Sequence, residues 1–316
     1  MAELILVADI GGTNARFALA ERDNGAVSVR QVKKFRAEDF ETLRDAAGAY
    51  LEAAAAAPAS ACFAVAGPVT AEIVDFTNSP WVLDVADMKR TLGVEQFHVV
   101  NDFEALAAGV PALGKENFLD VKPGEGDPVA PILVMGPGTG LGQALIVPFE
   151  GKVRVIPTEG GHVGFAPQSD EEIAIMKFIL RDHDRVSAER ILSGRGLVNL
   201  HRALCAIDGA SFTPIEADKI TEAAINGDGP AQKTLNLFCS LLGRAAGDAA
   251  LATGARGGVV LGGGILPQIR DFFLKSAFTV QFLAKGRMRD YLADVPVRVI
   301  VTDGAALVGA AVMART

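Results

Sequence analysis

Residues 4–20 read LILVADIGGTNARFALA. An apolar run rich in β-formers stops at Asp9, Gly11-Gly12-Thr13-Asn14 make a tight turn, and Arg16 to Leu19 resume as an extended, largely apolar segment. Glycines admit positive φ and let backbone N–H groups approach an anion with no Cβ in the way. Asp9, at the end of the first strand, is placed to face a phosphate-bound cation. The same shape returns at residues 131–147, PILVMGPGTGLGQALIV, with Gly136, Gly138, Gly140 and Gly142 around Thr139. Each copy leads through a short turn, Asn24-Gly25 or Glu150-Gly151, into a third extended segment. Two copies of one glycine-turned β unit predict two similar halves facing a shared cleft.

The chain has 316 residues, enough for about two domains. Half of it is hydrophobic and 22% is charged, so cores of substantial size are available. Mean hydropathy is +0.29, raised largely by the many alanines. The alanine-rich stretch 53–66 contains Pro58 and lacks the ~20 strongly apolar residues that a membrane helix needs. Residues 1–10 show no basic leader, so the chain reads as cytoplasmic and off the membrane. A net charge of -8, with no long block of one sign, argues against nucleic acid as a partner. It leaves ATP open, because backbone amides and a metal neutralise phosphates locally. Cys62, Cys205 and Cys239 lie far apart with no CxxC, which disfavours a zinc site and a disulfide framework.

In chain order, 27–35 reads as a third strand and 39–57 as a helix, with Leu43, Ala46, Ala47, Tyr50 and Leu51 at helical spacing. Strands are predicted at 60–66, 72–77 and 96–100, and helices at 84–92 and 103–109. The stretch 111–131 is polar and punctuated by Pro and Gly, and the domain boundary is placed near its start. The sequence then reads as mostly helical from 169 to 209. A long helix follows from Pro230 to about Thr253, where proline suits the first turn. A buried strand at 257–261 runs into Gly262-Gly263-Gly264. A last strand spans 297–302 and a last helix 305–314, the latter packing back on the first domain. Strands alternating with helices give an α/β fold with mixed sheets.

Several familiar sites are excluded by spacing. Neither glycine turn has GxGxxG opening a helix, and the Gly-Lys pairs at 114 and 151 are not followed by Ser or Thr. HExxH and GxSxG are absent. Three glycine-rich turns remain, at 11–12, 136–142 and 262–264, each at the end of a predicted strand. Asp102, at the C-terminal end of a strand, sits where α/β sheets bind ligands. Its alternative role is to cap the helix starting at Phe103. Glu159 and His162 are three apart but separated by Gly160-Gly161, so hydrogen bonds to a polyol suit them better than a metal. Glu189 follows Ser187, an N-cap candidate, and on these residues alone reads as a carboxylate in the first turn of a helix, favourable to its dipole.

These segments carry a resemblance. ADIGGTNARFALA (8–20), FTNSPW (76–81), VVNDFEALA (99–107), GPGTGLG (136–142), TEGGHVGFAP (158–167), SAERILSGRGLVNLHRA (187–203) and GGVVLGGGILP (257–267) occur in the order found in bacterial glucokinases outside the ROK group. The chain resembles that family over its whole length. The resemblance implies an actin-like, ribonuclease H-like fold of duplicated domains flanking a central cleft. It implies a small α/β domain of residues 1–111 plus 303–316, and a large one of 112–302 with helical insertions. It implies transfer of the γ-phosphoryl of ATP to the 6-hydroxyl of glucose, with Mg²⁺, in a cytoplasmic homodimer. Asp9, Gly11, Gly12, Thr13 and Asn14 would hold the β- and γ-phosphates, and Asp9 would reach Mg²⁺ through water. Gly138, Thr139 and Gly140 would form the second phosphate loop, with Gly138 also at the sugar, and Gly262 and Gly263 would border the adenosine. Asp102 would be the general base, and Asn78, Asn101, Glu159, His162 and Glu189 would bind sugar hydroxyls. Gly164 departs from the family, whose members often carry aspartate there, and bears on fine specificity.

The chemistry fits these residue types. Carboxylates, an amide and an imidazole can satisfy the hydroxyl array of a sugar, and a substrate lacking one hydroxyl leaves a buried group unpaired. Phosphoryl transfer depends mainly on positioning and charge neutralisation, which glycine turns and a cation supply. Rival readings are a kinase of another hexose, one using polyphosphate, a non-catalytic sugar sensor and an actin-like scaffold. The acidic balance, with no DNA-binding extension ahead of residue 4, weighs against the sensor.

Overall fold

The structure is a computed structural model that describes residues 3–23, 26–67, 69, 72–75 and 81–314. The chain divides into two compact units, Met1–Asn117 with Thr302–Thr316, and Phe118–Val301.

In the first unit, β1 (Glu3–Ile10), β2 (Asn14–Asp23) and β3 (Ala26–Arg36) form an antiparallel meander. Then β4 (Ser60–Val65) and β7 (Gln96–Asn101) add in parallel, giving the order β3-β2-β1-β4-β7. Strands β5 (Ile73–Asp75) and β6 (Val82–Asp84) pair separately. Side chains alternate across β1: Leu6, Ala8 and Ile10 join one core and Ile5 and Val7 another. The first core is closed by α1 (Leu43–Ala54) and α2 (Val85–Leu92), the second by α3 (Asp102–Gly109) and the last helix, α12 (Ala305–Met313). A Cβ on Gly309 would overlap the Ala105 carbonyl, so glycine is what lets α12 cross α3 this closely.

Two expected boundaries move for reasons visible in the caps. The helix expected over 39–57 is α1 alone, because Thr42 and Asp45 close a reciprocal capping box: the Thr42 hydroxyl accepts from Asp45 N, and the Asp45 carboxylate from Thr42 N, both at 3.1 Å. The helix expected from Asp84 begins at Val85, with Asp84 as its cap.

In the second unit, β9 (Ile132–Pro137), β10 (Leu141–Phe149) and β11 (Lys152–Thr158) repeat the meander, and β12 (Gly258–Leu261) and β13 (Val297–Ile300) repeat the parallel extension. The duplication read from sequence is thus matched strand for strand. One strand was not anticipated: β8 (Phe118–Lys122), inside the segment read as a polar connection, pairs with β13 and completes the order β11-β10-β9-β12-β13-β8. Buried Lys122 secures it, its ammonium donating to the carbonyls of Pro123, Ala293 and Val295.

Helices supply the rest of this unit's core. They are α4 (Asp170–Ile179), α5 (Gly194–Ile207), α6 (Ala217–Ile225), α7 (Gly229–Thr253), α8 (Ile265–Gln268), α9 (Arg270–Lys275), α10 (Phe278–Leu283) and α11 (Arg289–Ala293). Asp228 caps α7, Pro230 occupies its first turn, and Gly254, with φ of 65°, ends it in the left-handed conformation. The stretch 180–193, read as helical, is not; it is a loop between α4 and α5 that carries Glu189. Among the described residues no helix is long and apolar enough to cross a membrane.

Candidate active site

In the first unit, Asp9 is the penultimate residue of β1 and pairs across the ladder with Arg16 of β2. The Arg16 guanidinium donates to the Asp9 carboxylate at 3.1 Å. Burial pushes the Asp9 carboxyl above its ordinary value, and Arg16 pulls against that shift. The turn between the strands is closed by Gly11 N donating to Asn14 O at 2.9 Å. Thr13 O accepts from Ala37 N, which fastens the turn to the end of β3, and Thr13 itself is exposed.

Two strands away, Ile10, Val65 and Asn101 lie level at the C-terminal ends of β1, β4 and β7. Asn101 is the cap of α3: its side-chain oxygen accepts from Phe103 N at 2.9 Å and Glu104 N at 3.1 Å. Its amide nitrogen donates to Gly67 O at 3.0 Å. Asp102 is therefore the first residue of the helix and not its cap, which corrects the alternative read from sequence. The Asp102 carboxylate accepts from Phe103 N at 2.9 Å. Asn78 lies outside the described residues.

In the second unit, backbone packs on backbone around the other two glycine turns. Gly138 N donates to Gly140 O at 2.8 Å, and Gly194 N, at the start of α5, donates to Gly138 O at 2.8 Å. Gly262 N donates to Met135 O, and a Cβ on Gly263, where φ is 86°, would overlap Pro137 O. Gly160–His162 form a short 3₁₀ turn after β11. A Cβ on Gly161 would overlap Leu141 O.

Glu189 ties these pieces together. Its carboxylate accepts from Leu141 N at 2.9 Å and its own N–H donates to Gly161 O at 2.9 Å. Ser193 donates to Glu189 O at 2.8 Å and caps α5 through Gly196 N. The first-turn reading of Glu189 is thereby overturned, because α5 starts only at Gly194, and Ser187 caps no helix. Glu159 and His162 stand exposed at the mouth of their turn, with carboxylate oxygen and Nε2 3.8 Å apart. The second unit thus gathers 138–140, 159–162, Glu189 and 262–263, while the first gathers Asp9 to Asn14 with Asn101 and Asp102.

Sequence reading missed the partners that hold this set. Arg16 was recoverable from the hairpin register, since a four-residue turn sets it opposite Asp9. Ser193 was recoverable as a serine before the glycine that opens α5. Nothing local links Glu189 to Leu141. The cysteines are buried, and burial pushes the thiols of Cys62 and Cys239 up to about 12, so neither supplies a thiolate nucleophile. Among the described residues no cluster of three or more His, Cys, Asp or Glu side chains forms a ready-made metal cage.

A protein-family model described as Glucokinase matches residues 6–316. The chain is 44% identical over 312 residues to a protein of Hahella chejuensis named glucokinase, covering 98% of this chain and 96% of that one. It is 39% identical to a solved glucokinase structure from an Antarctic psychrotroph, with a TM-score of 0.86 and 98% of both chains covered. A ROK family glucokinase from Streptomyces griseus, solved with glucose and AMPPNP, shares the fold at 21% identity and a TM-score of 0.64.

Proposed function

The chain belongs to the glucokinase family, and on that premise we propose how its residues divide the work. It is an ATP-dependent hexose kinase that phosphorylates glucose. In our reading, Asp102 orients the 6-hydroxyl and takes its proton. The hydroxyl oxygen bonds to the γ-phosphorus while the bond from that phosphorus to the β,γ-bridging oxygen breaks, and ADP leaves with the electron pair. The observation that carries this assignment is that Asn101, not Asp102, caps α3. The carboxylate at 102 sits in the first turn of the helix, where the dipole favours negative charge.

Glu159, His162, Glu189, Asn101 and Asn78 bind the remaining hydroxyls in this proposal, with the backbone at Gly138. Gly11 to Asn14 and Gly138 to Gly140 offer backbone amides to the phosphates, and Gly262 and Gly263 border the adenosine. Asp9 fits a nucleotide-bound Mg²⁺, because such an ion takes most of its ligands from phosphates and water and needs only one or two carboxylates. The ion would neutralise charge on the transferring group. The family likeness also supports a cytoplasmic homodimer, which sedimentation would check.

The test is ATP-dependent phosphorylation of glucose, fructose, mannose and N-acetylglucosamine, with Asp102→Asn alongside. Glucose should be preferred, and the variant should lose about a hundredfold or more in kcat while still binding glucose. Turnover of the variant at the wild-type rate would remove Asp102 as the base. Sugar binding with no ADP formed would make the chain a sensor.

A further inference from the structure

The second unit contains a cavity of about 330 Å³ bounded by the same loop that carries Glu159 and His162. Gly160, Val163 and Phe165 form one wall, and Leu241, Ala245 and Ala249 of α7 form another. Glu159, His162, Glu189 and the 138–140 turn do not line it, and it shares only Gly160 with the site described above. Its volume lies at the lower end of the range, roughly 300–1,000 Å³, that small-molecule sites occupy.

The polar groups around it are satisfied, with one exception. Arg244 is paired with Glu172 at 2.7 Å, both side chains nearly buried, and Asp248 is paired with Lys285 at 2.7 Å. These two ion pairs cancel in charge. Gln143 of β10 is only 7% exposed, yet its side-chain amide lines the cavity with no hydrogen-bond partner among the described residues. That amide meets solvent in the cavity, where it offers a ligand both a donor and an acceptor.

We infer that this cavity is an effector site for a neutral molecule with a compact apolar body and one carboxamide-like group that pairs with the amide of Gln143. Neutrality follows from the cancelled charges, the apolar body from the α7 wall, and the amide from the need to donate and accept at once. One wall is the loop bearing Glu159 and His162, so occupancy changes the KM for glucose. That consequence rests on the sugar-binding reading of those two residues.

The probe is 3-phenylpropanamide titrated into the full chain by ligand-observed NMR, with and without saturating glucose, and with propylbenzene as the probe lacking the amide. The amide should bind without competition from glucose and shift the KM for glucose at least twofold. Gln143→Leu should weaken the amide at least tenfold and leave propylbenzene within twofold. Ala249→Phe, which fills the cavity from α7, should abolish binding of both while glucose is still phosphorylated. No saturable binding, displacement by glucose, or an unaffected Gln143→Leu variant would overturn the site. So would an Ala249→Phe change that turns a self-associated chain monomeric, because a second copy would then cover this face. Binding with an unmoved KM would overturn the effector role. An unchanged KM in Glu159→Gln would instead mark failure of the sugar-binding reading.

Discussion

In the hairpin β1–β2, the pair flanking the turn is Ile10–Ala15 and the next pair is Asp9–Arg16; in β9–β10 the equivalent pairs are Pro137–Leu141 and Gly136–Gly142. The first turn has four residues between its flanking pair and the second has three. The first hairpin brings its own charge, a carboxylate and its guanidinium partner set across one ladder. The second has none at those positions and presents only backbone. The carboxylate at its tip comes from Glu189, 48 residues along the chain, and its other supports come from Gly194 and Gly262. The two copies thus share a shape but differ at the turn: the first carries a side-chain pair, the second relies on close backbone packing.

That contrast is broken most severely at Gly161. A methyl group there would overlap Leu141 O, a backbone atom that cannot swing aside, so Gly161→Ala forces the 3₁₀ turn off the tip of β10. Overpacking of this kind costs about 3 kcal/mol, and thermal unfolding should move down by roughly 6–12 °C. A melting temperature within a degree of wild type would show that the second turn is not held by packing.

The first hairpin is tested at Asp9. Asp9→Asn keeps the shape and the hydrogen-bonding reach toward Arg16 but removes the charge, and kcat/KM for ATP should fall about a hundredfold. Thr139→Ala at the second turn removes one neutral hydroxyl and should cost about tenfold or less. Stability should move the other way. The folded carboxyl at Asp9 lies above its unfolded value of 3.8, so folding favours the protonated form. Its contribution is fully present below the unfolded value and is lost as pH rises through the folded one. At neutral pH Asp9→Asn should therefore match or exceed wild type in thermal stability, and the difference should vanish toward pH 3. A variant less stable at pH 7 would show that Arg16 outweighs burial.

Gly140→Ala separates the turn from the carboxylate that braces it. Its methyl group would overlap the end of the Glu189 side chain, which can rotate away, so the fold survives and the Leu141 hydrogen bond is lost. The KM for glucose should rise about tenfold, the worth of one charge-assisted hydrogen bond. Glu189→Gln keeps an acceptor for Leu141 N and loses the charge, so it should raise KM without the loss of affinity for an ATP analogue expected in Gly140→Ala. Equal effects on both ligands in both variants would mean that Glu189 braces the turn and nothing more.

This contrast also explains what was legible beforehand. Periodicity and glycine placement gave both meanders, the parallel strands beside them and the last helix, because each depends on residues close in sequence. The helix over 39–57 was overread because alanine spacing hid the capping box at Thr42 and Asp45. Strand β8 was missed because Pro123 and Gly124, just beyond it, dominate the reading of a short segment whose partner, β13, lies far along the chain. Asp9 and Asp102 were found at strand ends. The bracing of Glu189 on Leu141 was not, since it exists only once α4 and α5 have closed a non-helical loop over the second turn.

The smallest effect is predicted at Gly11, and it is the sharpest check on the whole comparison. Glycine stands in both turns, and a motif-based reading treats them alike. The structure does not: a Cβ on Gly11 would lie 3.6 Å from Asn14 O, an ordinary contact, and its φ is not positive. Gly11→Ala should thus keep the 2.9 Å bond from its N–H to Asn14 O and leave the melting temperature within about 2 °C. Any loss should appear in the KM for ATP alone, because the methyl group would make only an ordinary contact with the protein and, in the proposed assignment, this turn faces the nucleotide phosphates. A marked fall in stability would mean that the first turn is also held by packing, and the distinction between the two hairpins would collapse. An unchanged fold with a raised KM for ATP would assign Gly11 to its ligand, just as the overlap at Gly161 assigns that glycine to its neighbour.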